Sequence, residues 1–174
     1  MSALSAVRQL EPEECAALLP SFCRVLADCV NGGAGVSFML PFSEADARAW
    51  WPGPFASAAR GERLIFGAFV DGVLEGTVQL VTSTPPNQPH RADIAKMLVH
   101  RRARRHGLGA ALMLAAENAA RRMGKSLLCL DTVTGSAGER LYARLGWVTA
   151  GVIPHYAFSP DGGHDDATFM WKAL

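Results

Sequence analysis

The segment Met97-Leu98-Val99-His100-Arg101-Arg102-Ala103-Arg104-Arg105-His106-Gly107-Leu108-Gly109-Ala110-Ala111-Leu112 constrains this chain more than any other. An apolar run ends in four arginines within five residues, and two glycines then open a stretch of alanine, leucine and methionine. The pattern predicts a strand, a basic turn and a helix in direct succession. A helix start offers backbone N–H groups without intrahelical partners and the positive end of the helix dipole, and glycine lets a ligand approach the backbone. With the arginines beside it, this is a site for a phosphate-bearing ligand. The competing reading, a solvated basic turn, leaves the coincidence of glycines and helix start unexplained.

Two nucleotide motifs fail here. A dinucleotide fingerprint needs a third glycine where Leu112 stands. Gly124-Lys125-Ser126 matches the end of a P-loop, but position 119 is alanine and the triplet closes a helix instead of opening one.

Around this segment, apolar spacing predicts a helix over 11–30 (Leu18, Leu19, Phe22, Val25, Leu26, Val30) closed by Gly32-Gly33, and a second over 43–59 with Ser43 as N-cap. Strands over 63–70 and 73–82 flank Asp71-Gly72, which suits a type I′ hairpin turn. A third strand spans 91–99, a helix 107–123 ends at Gly124, and the apolar run 126–130 reads as a buried parallel strand. A helix over 136–145 and strands over 147–153 and 167–171 complete the chain. This order predicts an α/β (α+β) architecture, one mixed sheet with helices on both faces, in a single domain over 1–174.

With 17 Lys+Arg against 16 Asp+Glu, the net charge argues against a nucleic-acid partner or an anionic membrane surface. No 18-residue apolar window exists, and Glu11, Glu13 and Glu14 interrupt the N-terminal region where an export signal needs its hydrophobic stretch. Cys15, Cys23, Cys29 and Cys129 fit no metal-ligand spacing and read as free thiols in a reducing cytoplasm. His164-Asp165-Asp166 lacks a second ligand set and reads as a solvated turn, so no metal is expected.

Arg104-x-x-Gly107-x-Gly109 matches the Arg/Gln-x-x-Gly-x-Gly/Ala signature of the GNAT acetyltransferase superfamily, and Leu141-Tyr142-Ala143-Arg144-Leu145-Gly146-Trp147 matches its second motif. On these two motifs the chain resembles that superfamily. More narrowly, Asn31 through Met39, Arg91-Ala92-Asp93, Lys96-Met97-Leu98-Val99, Leu130-Asp131-Thr132 with Gly135-Ser136, and Tyr156 with Pro160-Asp161-Gly162 resemble the tabtoxin-resistance branch. The resemblance implies a mostly antiparallel sheet whose parallel strands splay to admit acetyl-CoA. It implies that backbone amides of Arg105, His106, Gly107, Leu108, Gly109 and Ala110 cradle the pyrophosphate, with Arg104 at the signature position. Arg101, Arg102 or Arg105 would serve the 3′-phosphate. The Met97-Leu98-Val99 strand would pair with the pantetheine arm, and an N–H there would hold the oxyanion.

The same resemblance puts Tyr142 in the general-acid position for the departing thiolate. Asp93 and Asp131 are both candidates for the carboxylate that receives the amine proton. Many members carry asparagine where this chain has Gly135, and Ser136 would take over that cofactor contact. Phe38, Met39, Trp50, Trp51, His155 and Tyr156 either line the acceptor pocket or belong to the core. Cys129, inside an apolar strand, argues for direct transfer over an acyl-cysteine route.

The activity implied is acetyl-CoA-dependent N-acetylation of a small-molecule amine, an amino-acid-like or β-lactam-type toxin on the branch resemblance. Aminoglycosides, polyamines and protein N-termini are the other acceptors, and a non-catalytic acyl-CoA-binding or regulatory domain and nucleic-acid binding through residues 101–105 are the readings from other classes. A homodimer is among the assemblies open to the chain.

Overall fold

The computed structural model describes residues 5–174, so the first four residues of the segment read as lacking an export signal lie outside it. Its first strand is one that the hydrophobic pattern does not reveal. β1 (Ser5–Leu10) is an edge strand with Arg8 and Gln9 exposed, and it exists through its antiparallel pairing with β2 (Arg63–Val70). Sheet register, and not amphipathic alternation, creates it.

The helix expected over 11–30 is two helices, α1 (Pro12–Ala17) and α2 (Leu19–Asn31), with the break at Leu18. Pro20 has no N–H to continue the ladder and suits the first turn of a new helix. Pro52 divides the 43–59 stretch in the same way into α3 (Glu44–Trp50) and α4 (Pro52–Ala59). Ser43 caps α3 as expected, accepting from the Asp46 amide at 3.2 Å while the Asp46 carboxylate accepts from the Ser43 amide at 2.8 Å.

β2 turns through Asp71-Gly72, both with positive φ (48° and 80°), into β3 (Val73–Val81), and β3 pairs antiparallel with β4 (Arg91–Val99). After a short 3-10 turn at Arg101–Ala103 comes α5 (Leu108–Arg122), then β5 (Leu127–Val133), α6 (Ala137–Arg144), β6 (Val148–Phe158) and β7 (His164–Ala173). The sheet order is β1-β2-β3-β4-β5-β7-β6. The β4–β5 pair is parallel and every other pair is antiparallel. Thus β7 follows β6 in the chain but lies between β5 and β6 in the sheet.

Each face of the sheet has its own core. Leu112, Met113 and Ala116 of α5 pack on Phe66, Val78, Leu80, Ala92, Ile94 and Leu128. Phe22, Leu26 and Val30 of α2, with Trp51 and Phe55, pack on Leu10, Ile65, Leu74 and Leu98. A buried Glu117 ties the first layer to the far strands: it accepts from Trp147 Nε1 at 3.0 Å and from Lys172 Nζ at 2.7 Å. All eleven residues of β6, by contrast, are exposed. Among the described residues no helix is long and apolar enough to cross a membrane.

Candidate active site

Strands β4 and β5 pair over only three positions, Arg91↔Leu127, Ala92↔Leu128 and Asp93↔Cys129. Beyond them the strands diverge. The cause lies in β4, whose register against β3 jumps from Gln79↔Ala95 to Thr77↔Leu98, so Lys96 and Met97 together oppose Val78. This bulge, with Lys96 at φ 50°, bends the strand away from its neighbour. The His100 amide donates to the Glu75 carbonyl at 2.8 Å, which fixes the alternation: Leu98 faces β3, while Met97 and Val99 turn their backbone groups into the gap. The Val99 carbonyl is occupied by Arg104 Nε at 3.0 Å and Cys29 Sγ at 3.5 Å. Among the described residues β5 pairs with β4 no further than Asp93, so no strand meets Met97 or Val99 on that side.

At one end of the gap the chain turns into α5. Arg105 (φ 66°) and Gly107 (φ 78°) are left-handed, and among the described residues no acceptor pairs with the amides of Arg105, His106 or Gly107. Leu108, Gly109 and Ala110 add the free amides of the first helical turn, and the buried Leu108 side chain anchors it. A Cβ on Gly109 would stand 3.0 Å from Leu141 Cδ2 and 3.8 Å from Met97 Sδ, so glycine keeps the helix start close to α6 and β4.

The four arginines do not act as one anion site. Arg101 binds Asp28 through its amide at 2.8 Å and Nε at 2.9 Å, and Arg102 is paired with the buried Glu75. Burial opposes ionisation of Asp28, but the Arg101 bonds and His100 outweigh it and hold the carboxyl below the usual carboxylate range. Arg104 closes on the Val99 carbonyl. Arg105 alone keeps an exposed side chain without a partner among the described residues, which corrects the expectation that Arg101 and Arg102 are equally available.

The two carboxylates are sorted by the same divergence. Asp93 sits where the strands are still paired and is in close contact with Arg91. Asp131 lies two positions past the last pair and is exposed. Tyr142 on α6 is only 6% exposed. Burial raises the phenol's pKa, and the Asp131 charge raises it further, so the tyrosine stays protonated. Ser136 caps α6, accepting from the Glu139 amide at 3.1 Å, and lies 3.2 Å from Thr132 Oγ1. Gly135 is left-handed at φ 75°, a conformation that asparagine also tolerates, which gives a physical reason for their exchange at this position.

The opposite side of the gap is walled by the loop after α2. Gly35 lies flat on β5, where a Cβ would stand 2.5 Å from Val133 Cγ2. The Leu40 amide reaches the Pro160 carbonyl at 2.8 Å. Under this loop is a residue that sequence reasoning did not single out as functional. Lys96 Nζ donates to the Val36 carbonyl at 2.8 Å and to Ser37 Oγ at 3.1 Å, and lies 5.4 Å and 5.6 Å from the Phe38 and Trp50 ring centroids. Burial pushes its ammonium below the ordinary lysine range; Asp131 opposes this and Arg63 adds to it. The only signal in the sequence is a lysine within an otherwise half-buried strand.

The aromatic candidates divide. Trp51 is core against Phe22 and Phe55. Phe38 and Trp50 flank Lys96, and Met39 is exposed. Tyr156 packs edge-on against Phe169, the residue opposite Asp131 in register, and His155 stacks on His164. Among the described residues no group of three metal-ligating side chains forms; Asp166 instead accepts from the His155 amide at 2.8 Å. Cys129 is half-buried, and burial raises its thiol.

Comparison with known proteins gives the following. The model of the acetyltransferase (GNAT) family matches residues 33–147. An uncharacterized N-acetyltransferase of Azospirillum brasilense is 33% identical over 115 residues, covering 65% of this chain and 67% of that protein. The yncA protein of Salmonella typhimurium, solved with acetyl-CoA, superposes with a TM-score of 0.77 at 21% identity, over 98% of this chain and 94% of its own. A GNAT superfamily phosphinothricin acetyltransferase of Sinorhizobium meliloti, in complex with acetyl-CoA, gives a TM-score of 0.79 at 19% identity, over 100% and 89%.

Proposed function

This chain belongs to the GNAT acetyltransferase family, and from that premise we propose that it moves the acetyl group of acetyl-CoA directly onto the amine of a small molecule, with residues 1–174 as one transferase domain. The observation that carries the reading is the divergence of β4 from β5 between an amide-rich helix start and the Asp131–Tyr142 pair. The amides of residues 105–110 hold the pyrophosphate, Arg105 serves the ribose phosphate, and the pantetheine arm pairs with Met97 and Val99. Ser136, at the mouth of α6, lies beside that arm.

An amine with a pKa of about 10 is protonated at neutral pH and has to lose that proton before it attacks. Asp131, exposed at the open end, receives it directly or through water, whereas Asp93 is engaged by Arg91. The nitrogen then bonds to the thioester carbon, and the Met97 or Val99 amide stabilises the oxyanion. As the C–S bond breaks, the Tyr142 hydroxyl gives its proton to the thiolate, and the second proton, lost from the nitrogen as the amide forms, restores the phenol by way of solvent. A thiol-release assay with acetyl-CoA against amino acids, toxin amines, aminoglycosides and polyamines tests the reading. Tyr142→Phe is expected to lower kcat about a hundredfold with the acetyl-CoA Kd unchanged. Acetyl-CoA binding without thiol release from any amine would make the chain an acyl-CoA-binding domain instead.

The resemblance of residues 31–39 and 130–136 to the tabtoxin-resistance branch supports an amino-acid-like or β-lactam-type toxin as acceptor, and hence a resistance role. Four free cysteines suit a reducing cytoplasm. β6 supports a homodimer: Val152, Ile153, Tyr156 and Phe158 are exposed on an edge strand without a charged residue. Sedimentation at two concentrations separates dimer from monomer.

A further inference from the structure

Five non-glycine residues among those described have positive φ, and two of them, Ser37 (77°) and Lys96 (50°), are bonded to each other. Neither conformation is favourable for a side-chain-bearing residue, and such residues persist where their surroundings over-determine them. What over-determines this pair is the Lys96 ammonium. Its two bonds to the loop, to the Val36 carbonyl and Ser37 Oγ, fall on consecutive residues, and the Phe38 and Trp50 rings, packed edge to face at 5.3 Å, offer it their faces. Lys96 reaches that loop because the β4 bulge places it, like Ala95, on the α2 face. Its successor Met97 presents the backbone edge to the gap.

We propose that Lys96 is a positioning residue that latches the loop over 33–38 onto the bulge of β4, so that the acceptor wall is held by the strand that carries the thioester. It rests on the assignment of that side of the gap to the acceptor. The latch itself is a property of the protein alone. Gly35, resting on Val133, gives the loop a contact on β5, Ala34, Val36 and Phe38 pack against the α2-side core, and Asp131 is the charge that faces the ammonium from β5. Acceptor binding and base thereby share one fixed geometry. In this role Lys96 acts through the loop, which takes up two of its three donors.

Hydrogen exchange on the full chain tests the latch. Lys96→Met is expected to speed exchange across residues 34–40 about tenfold, the scale of one lost hydrogen bond to a charged group. Exchange in α5 and β1–β3, and the acetyl-CoA Kd, stay within about twofold. In a Ser37→Gly background the same change has a smaller effect, because glycine adopts φ 77° unaided. Should Lys96→Met not fold, Lys96→Gln, which keeps a donor and drops the charge, takes its place. With any amine turned over in the thiol-release assay, acceptor KM rises and acetyl-CoA KM does not. Unchanged exchange over 34–40, or an equal effect with and without Ser37→Gly, overturns the latch. Loss of acetyl-CoA binding or thiol release in the unmodified protein would instead overturn the transferase reading and leave the exchange result standing.

Discussion

The two ends of the gap between β4 and β5 are built from different materials. The helix end is backbone: amides from residues 105–110, shaped by left-handed Arg105 and Gly107 and by the missing Cβ of Gly109, all within six consecutive residues. The other end is side chains gathered from afar, Asp131 from β5, Tyr142 from α6, Lys96 from β4 and Phe38 and Trp50 from the α2–α3 region. A ligand end made of one contiguous turn is insensitive to most side-chain changes and shared among enzymes with different acceptors. An end assembled from four segments is where single substitutions change what the enzyme accepts.

The sharpest way to break this comparison is at Asp131. Asp131→Asn is expected to lower kcat about a thousandfold while calorimetry shows the same acetyl-CoA affinity; an equal loss of affinity would merge the two ends into one. Gly35→Ala comes next. Its Cβ meets the stiff, β-branched Val133, so the loop lifts and acceptor KM rises about tenfold, roughly the scale of a small overpacking strain, again with acetyl-CoA KM unmoved.

Within the helix end, Arg105 and Arg102 give opposite signatures. Arg105→Ala is expected to weaken acetyl-CoA about threefold at low salt and less at high salt, as for an exposed charge. Arg102→Ala strands Glu75, only 4% exposed, and should lower Tm by roughly 3–5 °C while leaving that affinity alone. The smallest effect concerns pH. A carboxyl held below its ordinary value, as Asp28 is, contributes stability that is complete above about pH 4 and is lost as pH falls through its folded value. Asp28→Asn should therefore flatten the acid side of a Tm-versus-pH curve and leave the neutral range parallel to the unmodified protein.

The same contrast decides what could be read from residue order alone. Asp71-Gly72, the α5 start and the parallel β5 follow from local chemistry: turn residues, orphan amides and a short apolar run. The β4 bulge does not, because it exists only in register with Thr77 and Gln79. The arginine partners were hidden for a similar reason, Asp28 and Glu75 lying in α2 and β3. Pro20 and Pro52 were visible, yet the apolar period ran through both and masked the helix breaks. β1 carries too little hydrophobic contrast to be seen without its partner β2.

The position of β7 between β5 and β6 has a consequence for how the protein is made. A ribosome delivers β5, α6 and β6 before β7, so the strand bearing Asp131 waits with one edge bare while its eventual neighbour is still being translated. Because β5 and β6 each pair with β7 and not with each other, the β5-α6-β6 segment has no native strand pairing within itself. Asp131 is therefore secured on that side by late-arriving chain, and a nascent polypeptide that already holds every residue of the turn into α5 still lacks the strand that flanks Asp131.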